Sequence, residues 1–106
     1  MTLNATIRRY EATDQNRTSE LIKKAEDSLL PRLTELPGFS AYYLIDAGDG
    51  VISSVGLFDT AEHAEESIRV ASNWVRQEHL EQALPNPPKV TSGQVVVHKT
   101  GELVEA

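Results

Sequence analysis

The chain is 106 residues long, enough to bury one hydrophobic core and too short for two independent ones. Its composition, 40% hydrophobic and 25% charged, is that of a globular protein and excludes an intrinsically disordered one. Ten Lys and Arg against 16 Asp and Glu leave a formal charge of −6, which disfavours nucleic acid and anionic membrane as partners, and the absence of cysteine excludes disulfides, thiolate catalysis and Cys-type metal sites.

Leu3 to Ala12 mixes Ile7, Tyr10 and threonine in partial alternation, which predicts a first strand. The basic residues of this stretch and beyond (Arg8, Arg9, Lys23, Lys24, Arg69, Arg76) are scattered and read as solvated surface charge. Thr13 to Arg17 is turn-like, and Asp14, Asn16 and Thr18 are residues that cap helices. From Thr18 to Leu36 an apolar stripe of Leu21, Ala25, Leu29, Leu33 and Leu36 predicts a helix that kinks or restarts at Pro31 and stops at Pro37-Gly38.

Phe39 to Ala47 and Val51 to Phe58 predict two strands joined by Gly48-Asp49-Gly50, whose glycines supply the positive φ angles of a tight hairpin. Asp59-Thr60 caps a second helix with Ala64, Ile68, Ala71 and Val75 on its apolar face and Trp74 beside that face. Its pattern runs on through Leu80 and Leu84 to Pro85-Asn86-Pro87-Pro88, and a last strand, Val90 to Lys99, follows. The expected fold class is α+β, ferredoxin-like βαββαβ with a four-stranded antiparallel sheet, as a single domain over 1–100 with a short acidic tail at 101–106. No stretch has signal-peptide or membrane-span length, so a cytoplasmic protein is expected.

Alternation sets Phe39, Ala41, Tyr43 and Ile45 on one side of the sheet and Tyr42 and Leu44 on the other, so both faces are apolar. Two helices cover one face of such a sheet. A second copy of the chain, packed through the other face about a two-fold axis, is the expected partner.

Leu36-Pro37-Gly38-Phe39, the hairpin Tyr42 to Val51 (YYLIDAGDGV), Phe58-Asp59, Ala64-Glu65-Glu66-Ser67, Ala71 with Trp74-Val75, and Pro88 through Gly93-Gln94-Val95 resemble the antibiotic-biosynthesis-monooxygenase-like family of dimeric α+β barrels over nearly the whole chain. That resemblance implies a ligand cleft between sheet and helices and, in enzymatic members, oxygenation of phenolic or quinol-like compounds with no cofactor. Other members cleave haem, and several have no assigned activity.

Candidate site residues follow. Trp74, the single tryptophan, can floor an aromatic-ligand pocket or simply fill the core. Asn73 can offer an amide to a substrate oxygen or mark a helix break. His63, near the start of the second helix, can act as a general base on a phenolic proton or be a solvated helix-start residue. Tyr42 and Tyr43 lie on opposite faces, one toward the cleft and one toward the dimer interior, and alternation does not say which. No His, Asp or Glu spacing suits a metal. Asn4, Trp74 and His79 imitate only superficially the asparagine, tryptophan and histidine of haem-degrading relatives. The expected function is a cofactor-independent monooxygenase acting on a small aromatic phenol or quinol, with catalytic His63 and Asn73 and substrate-binding Trp74, Tyr42 and Tyr43. The alternative is a non-enzymatic dimeric small-ligand-binding or stress-related protein, and the third reading is a haem-degrading or haem-binding one.

Overall fold

A computed structural model describes residues 2–101, so the acidic tail expected at 101–106 lies, apart from Gly101, outside the described residues. In chain order the elements are β1 (Leu3–Tyr10), a 3-10 turn (Gln15–Arg17), α1 (Thr18–Lys24), a π-helical turn (Ala25–Leu29), α2 (Leu30–Thr34), β2 (Phe39–Gly48), β3 (Val51–Phe58), α3 (Ala61–Gln77) and β4 (Lys89–Val95). The strands form one antiparallel sheet in the order β2-β3-β1-β4, the ferredoxin-like arrangement expected from the sequence. Among the described residues no helix is long and apolar enough to cross a membrane.

The first helical stretch is interrupted by the π turn and restarts as α2 at Leu30, next to Pro31. Leu21, Ala25, Leu29 and Leu33 are all buried, at every fourth position. On an α-helix such a repeat drifts by roughly 40° per step, and the wider π turn brings Ala25 and Leu29 back over the sheet. Pro31 then falls in the first turn of α2, where its missing N–H is not required. The hairpin turn is as expected, with positive φ at Gly48, Asp49 and Gly50. Thr13 clamps it through its N–H and hydroxyl, both donated to the Gly50 carbonyl at 3.0 and 3.1 Å.

Thr60 caps α3 by accepting from the His63 N–H at 3.1 Å. The helix ends at Gln77 rather than continuing to Leu84, because His79 takes a left-handed φ of 56° that a helix cannot propagate. Leu80 stays fully buried and Leu84 half-buried in the turns that follow, so the apolar spacing that predicted a continued helix is met by turns instead. The buried residues of α3 are Ala64, Ser67, Ala71 and Trp74, so Trp74 lies on the core stripe, and Ile68 and Val75 flank it.

Thr6, Arg8 and Tyr10 of β1 share one face of the sheet with Ile52, Ser54, Gly56 and Phe58 of β3 and with Tyr42 and Leu44 of β2. The helices cover this face and the core lies between. Phe39 was expected on the other side. A register shift between Phe39 and Ala41 turns it inward, opposite Phe58, and the two rings meet edge to face at 5.8 Å. The outer face carries a row of Tyr43, Val55, Ile7 and Thr91 across all four strands, with Tyr43 57% and Ile45 46% exposed. The final strand stops at Val95, short of the expected Lys99, and Val96 and Val97 beyond it are exposed.

Candidate functional site

Where α1, the π turn and α3 bridge the inner face of the sheet they leave a chamber of about 40 Å³. Leu21, Ala25, Leu29, Leu44 and Ile52 make its walls apolar, and Trp74 closes one side. The packing that leaves this gap follows from residue size: small Ala25 lines it where a larger side chain would fill the space between helix and sheet. An outer cleft of about 260 Å³ shares Ile22, Ala25, Tyr42, Leu44 and Ile52 with the chamber and adds Leu30, with Glu26 and Asp46 at its exposed edge. A ligand of aromatic size needs both spaces.

Trp74 is 4% exposed and its indole N–H donates to the Ser28 hydroxyl at 2.7 Å. Ser28 in turn donates to the Lys24 carbonyl at 3.0 Å. With its one donor committed, Trp74 presents only apolar surface to the chamber. Of Tyr42 and Tyr43, Tyr42 is the one on the inner face. Burial raises its phenol pKa above the ordinary value, while the Arg8 charge and a hydrogen bond with Ser54 act against that shift, so at neutral pH it remains a hydrogen-bond donor.

The structure does not bring the other expected residues to this place. Tyr43 lies on the outer face of the sheet. Asn73 is exposed on α3 and its amide oxygen accepts from Arg76. His63 is held at the start of α3, with Nδ1 2.5 Å from Asp59 Oδ1, against the Pro-Gly turn where Gly38 has φ +74°. It borders none of the chamber, because Thr60 sets the helix start beside the strand end and its side chain turns toward Asp59. Nor do Asn4 and His79 converge with Trp74. Asn4 donates to the Asp59 carbonyl just before α3 and His79 follows the end of that helix, so the two stand about 25 Å apart along it. Among the described residues no three His, Cys, Asp or Glu side chains gather into a metal-binding group.

One residue read from the sequence as solvated proves to be central. Arg8 is 6% exposed and lines the chamber, with its guanidinium 5.4 Å over the Tyr10 ring and one N–H donated to the Tyr10 hydroxyl. Its Nε–H is buried with no partner. Among the described residues no carboxylate pairs with it, whereas its neighbour Arg9 faces outward and pairs with Glu11 at 3.6 Å. The signal was the parity of β1: Thr6, Arg8 and Tyr10 alternate against Ala5, Ile7 and Arg9, and only the pairing with Ile52, Ser54 and Phe58 shows that the polar set is the inner one.

No protein-family model and no curated protein matches the chain. Solved structures match it in fold. A protein of unknown function from Nitrosomonas europaea aligns with a TM-score of 0.75 at 17% identity, over 96% of this chain and 97% of that one. A proposed antibiotic biosynthesis monooxygenase from Bordetella bronchiseptica aligns with a TM-score of 0.73 at 14% identity, over 92% of this chain and all 100% of its own. A dimeric ferredoxin-like protein from an uncultured marine organism aligns with a TM-score of 0.71 at 16% identity, over 96% of this chain and 95% of that one. The fold is therefore the ferredoxin-like fold found among antibiotic biosynthesis monooxygenase-like proteins.

Proposed function

We propose that this chain, sharing that fold, is a small cytoplasmic oxygenase that binds an aromatic phenol or quinol between its sheet and its helices and works as a homodimer. The observation that supports this reading is the chamber itself, apolar and walled by Trp74 and Tyr42, with an outer cleft large enough to admit a ring. A ring in the cleft would lie against Ile22, Leu30 and Leu44, its oxygen reaching inward to the Tyr42 hydroxyl. In the reaction the electron-rich substrate is itself the reductant. In an anthrone-type substrate, the keto tautomer of a phenol, the ring CH₂ and O₂ give a ring C=O and H₂O, one oxygen atom entering each product and four electrons coming from the carbon. The protein's part is to exclude water and hold the ring. Dimerisation would proceed through the outer face of the sheet, where Tyr43 and Ile45 stand exposed.

Aerobic incubation with an anthrone-type or quinol substrate tests the proposal. Oxygen uptake above the buffer rate, lost when Ala25→Leu fills the chamber, is the expected result. A second reading, a non-catalytic binding protein on the same pocket, is favoured by one observation: among the described residues neither a histidine nor a carboxylate lines the inner chamber to take the phenolic proton. Ligand binding without oxygen uptake establishes that reading instead.

A further inference from the structure

Arg8 poses a problem that the oxygenase reading leaves open. A guanidinium is permanently charged, and a charge withdrawn from water needs a counter-charge or a full set of hydrogen bonds. At 6% exposure Arg8 has neither: one N–H goes to the Tyr10 hydroxyl, Nε–H has no partner, and among the described residues no carboxylate reaches it. The protein as a whole carries an excess of six negative charges, so acidic side chains are not scarce. They are absent from this position. The cation instead lines an apolar chamber, with the hydroxyls of Tyr10, Tyr42 and Ser54 around it.

We infer that the chamber binds a small organic monoanion, an aromatic or otherwise apolar carboxylate, whose charged group meets Arg8 and whose apolar body occupies the outer cleft. The inference rests on the same cavity as the oxygenase reading and names the charge state of what enters it. The class follows from the surroundings. Guanidinium and carboxylate form the strongest common charge-assisted pair, and the Tyr10 and Tyr42 hydroxyls stand beside the guanidinium to supply further bonds. One cation balances one negative charge. Glu26 and Asp46 at the exposed edge of the cleft repel an anion in proportion to its charge, so a dianion such as a phosphate ester is disfavoured about twice as strongly as a monoanion. Away from Arg8 and the hydroxyls around it, Ile22, Ala25, Leu30, Leu44 and Ile52 of the outer cleft offer an apolar surface to the body of the ligand.

Trp74, the only tryptophan and a wall of the chamber, reports occupancy by fluorescence. Benzoate and benzamide have nearly the same shape and differ in charge. Titrated at constant ionic strength near neutral pH, the wild-type protein should bind benzoate about tenfold or more tightly than benzamide. Arg8→Gln should bind the two alike, and Arg8→Lys should keep part of the preference. Arg8→Gln should also melt no lower than wild type, since it removes a charge that has no counter-ion. Equal affinity of the wild type for both probes overturns the inference. So does a preference that survives Arg8→Gln. A melting temperature for Arg8→Gln well below wild type overturns it too, by making Arg8 a structural cation. Turnover does not enter this measurement: absent oxygen uptake counts against the oxygenase alone, and absent benzoate preference against the monoanion alone.

Discussion

The indole N–H of Trp74 on α3 donates to the hydroxyl of Ser28 in the π turn at 2.7 Å, tying together two helical elements that are 46 residues apart in sequence. That bond holds the ring at the chamber wall, and the Ser28 hydroxyl in turn donates to the Lys24 carbonyl at 3.0 Å. The pair therefore sets both the position of the tryptophan and the local opening of the helix.

Ser28→Ala should leave a buried indole N–H without a partner and cost about 1–3 kcal/mol, measured by urea unfolding. Trp74→Ala should cost about 3–5 kcal/mol, because a cavity is added to the lost contacts. A Ser28→Ala effect within error of zero would show that the hydroxyl bond does not hold the ring.

Tyr42 should ionise above the ordinary tyrosine range in an alkaline titration followed by phenolate absorbance. Burial raises its pKa in the folded state, so the folded protein holds this proton at pH values where the unfolded chain has released it. The stabilising contribution is complete below the unfolded tyrosine value of about 10 and is lost as pH rises from there through the higher folded value. Tyr42→Phe should remove that part of the alkaline instability, and an unchanged alkaline melting profile in Tyr42→Phe would contradict the assignment.

Gly38→Ala should destabilise the junction between α2 and β2. A methyl group there would stand 1.8 Å from Asp59 Oδ1 and 2.7 Å from His63 Nδ1, in a backbone with φ +74°. The conformational and crowding costs together come to about 2–4 kcal/mol. Chemical denaturation reads the loss, and Gly38→Ala combined with Asp59→Ala should recover part of it, leaving the conformational share.

If the proposed dimer packs through the outer face, Tyr43→Lys should weaken self-association by about thirtyfold or more, because it buries a charge in an apolar patch. Sedimentation over a concentration series measures it, with folding checked by circular dichroism. A wild-type protein that sediments as a lone protomer at micromolar concentration would remove the dimer from the proposal.

Local patterns carried the architecture a long way. The hairpin at Gly48-Asp49-Gly50, the Thr60 cap and the strand-helix-strand-strand-helix-strand order are properties of neighbouring residues, and neighbours are what a sequence displays. The end of α3 was less legible, since Leu80 and Leu84 are sheltered in turns that mimic helical spacing after His79 has broken the helix. Phe39 needed a register shift at Ser40 to face the core, and a bulge leaves no mark in simple alternation.

What the amino-acid order determined alone was the set of elements, their ferredoxin-like succession and the apolar character of both sheet faces, because these depend on turn chemistry and on periods of two and about four residues. What the tertiary structure decided was the site. Whether Arg8 or Arg9 turns inward, whether Tyr42 or Tyr43 meets the helices, and whether Trp74 and Ser28 touch all depend on which strands pair, in which register, and on which side the helices pack. Those relations join residues far apart in the chain, and a pairing shifted by one residue would have exchanged every inner side chain for an outer one.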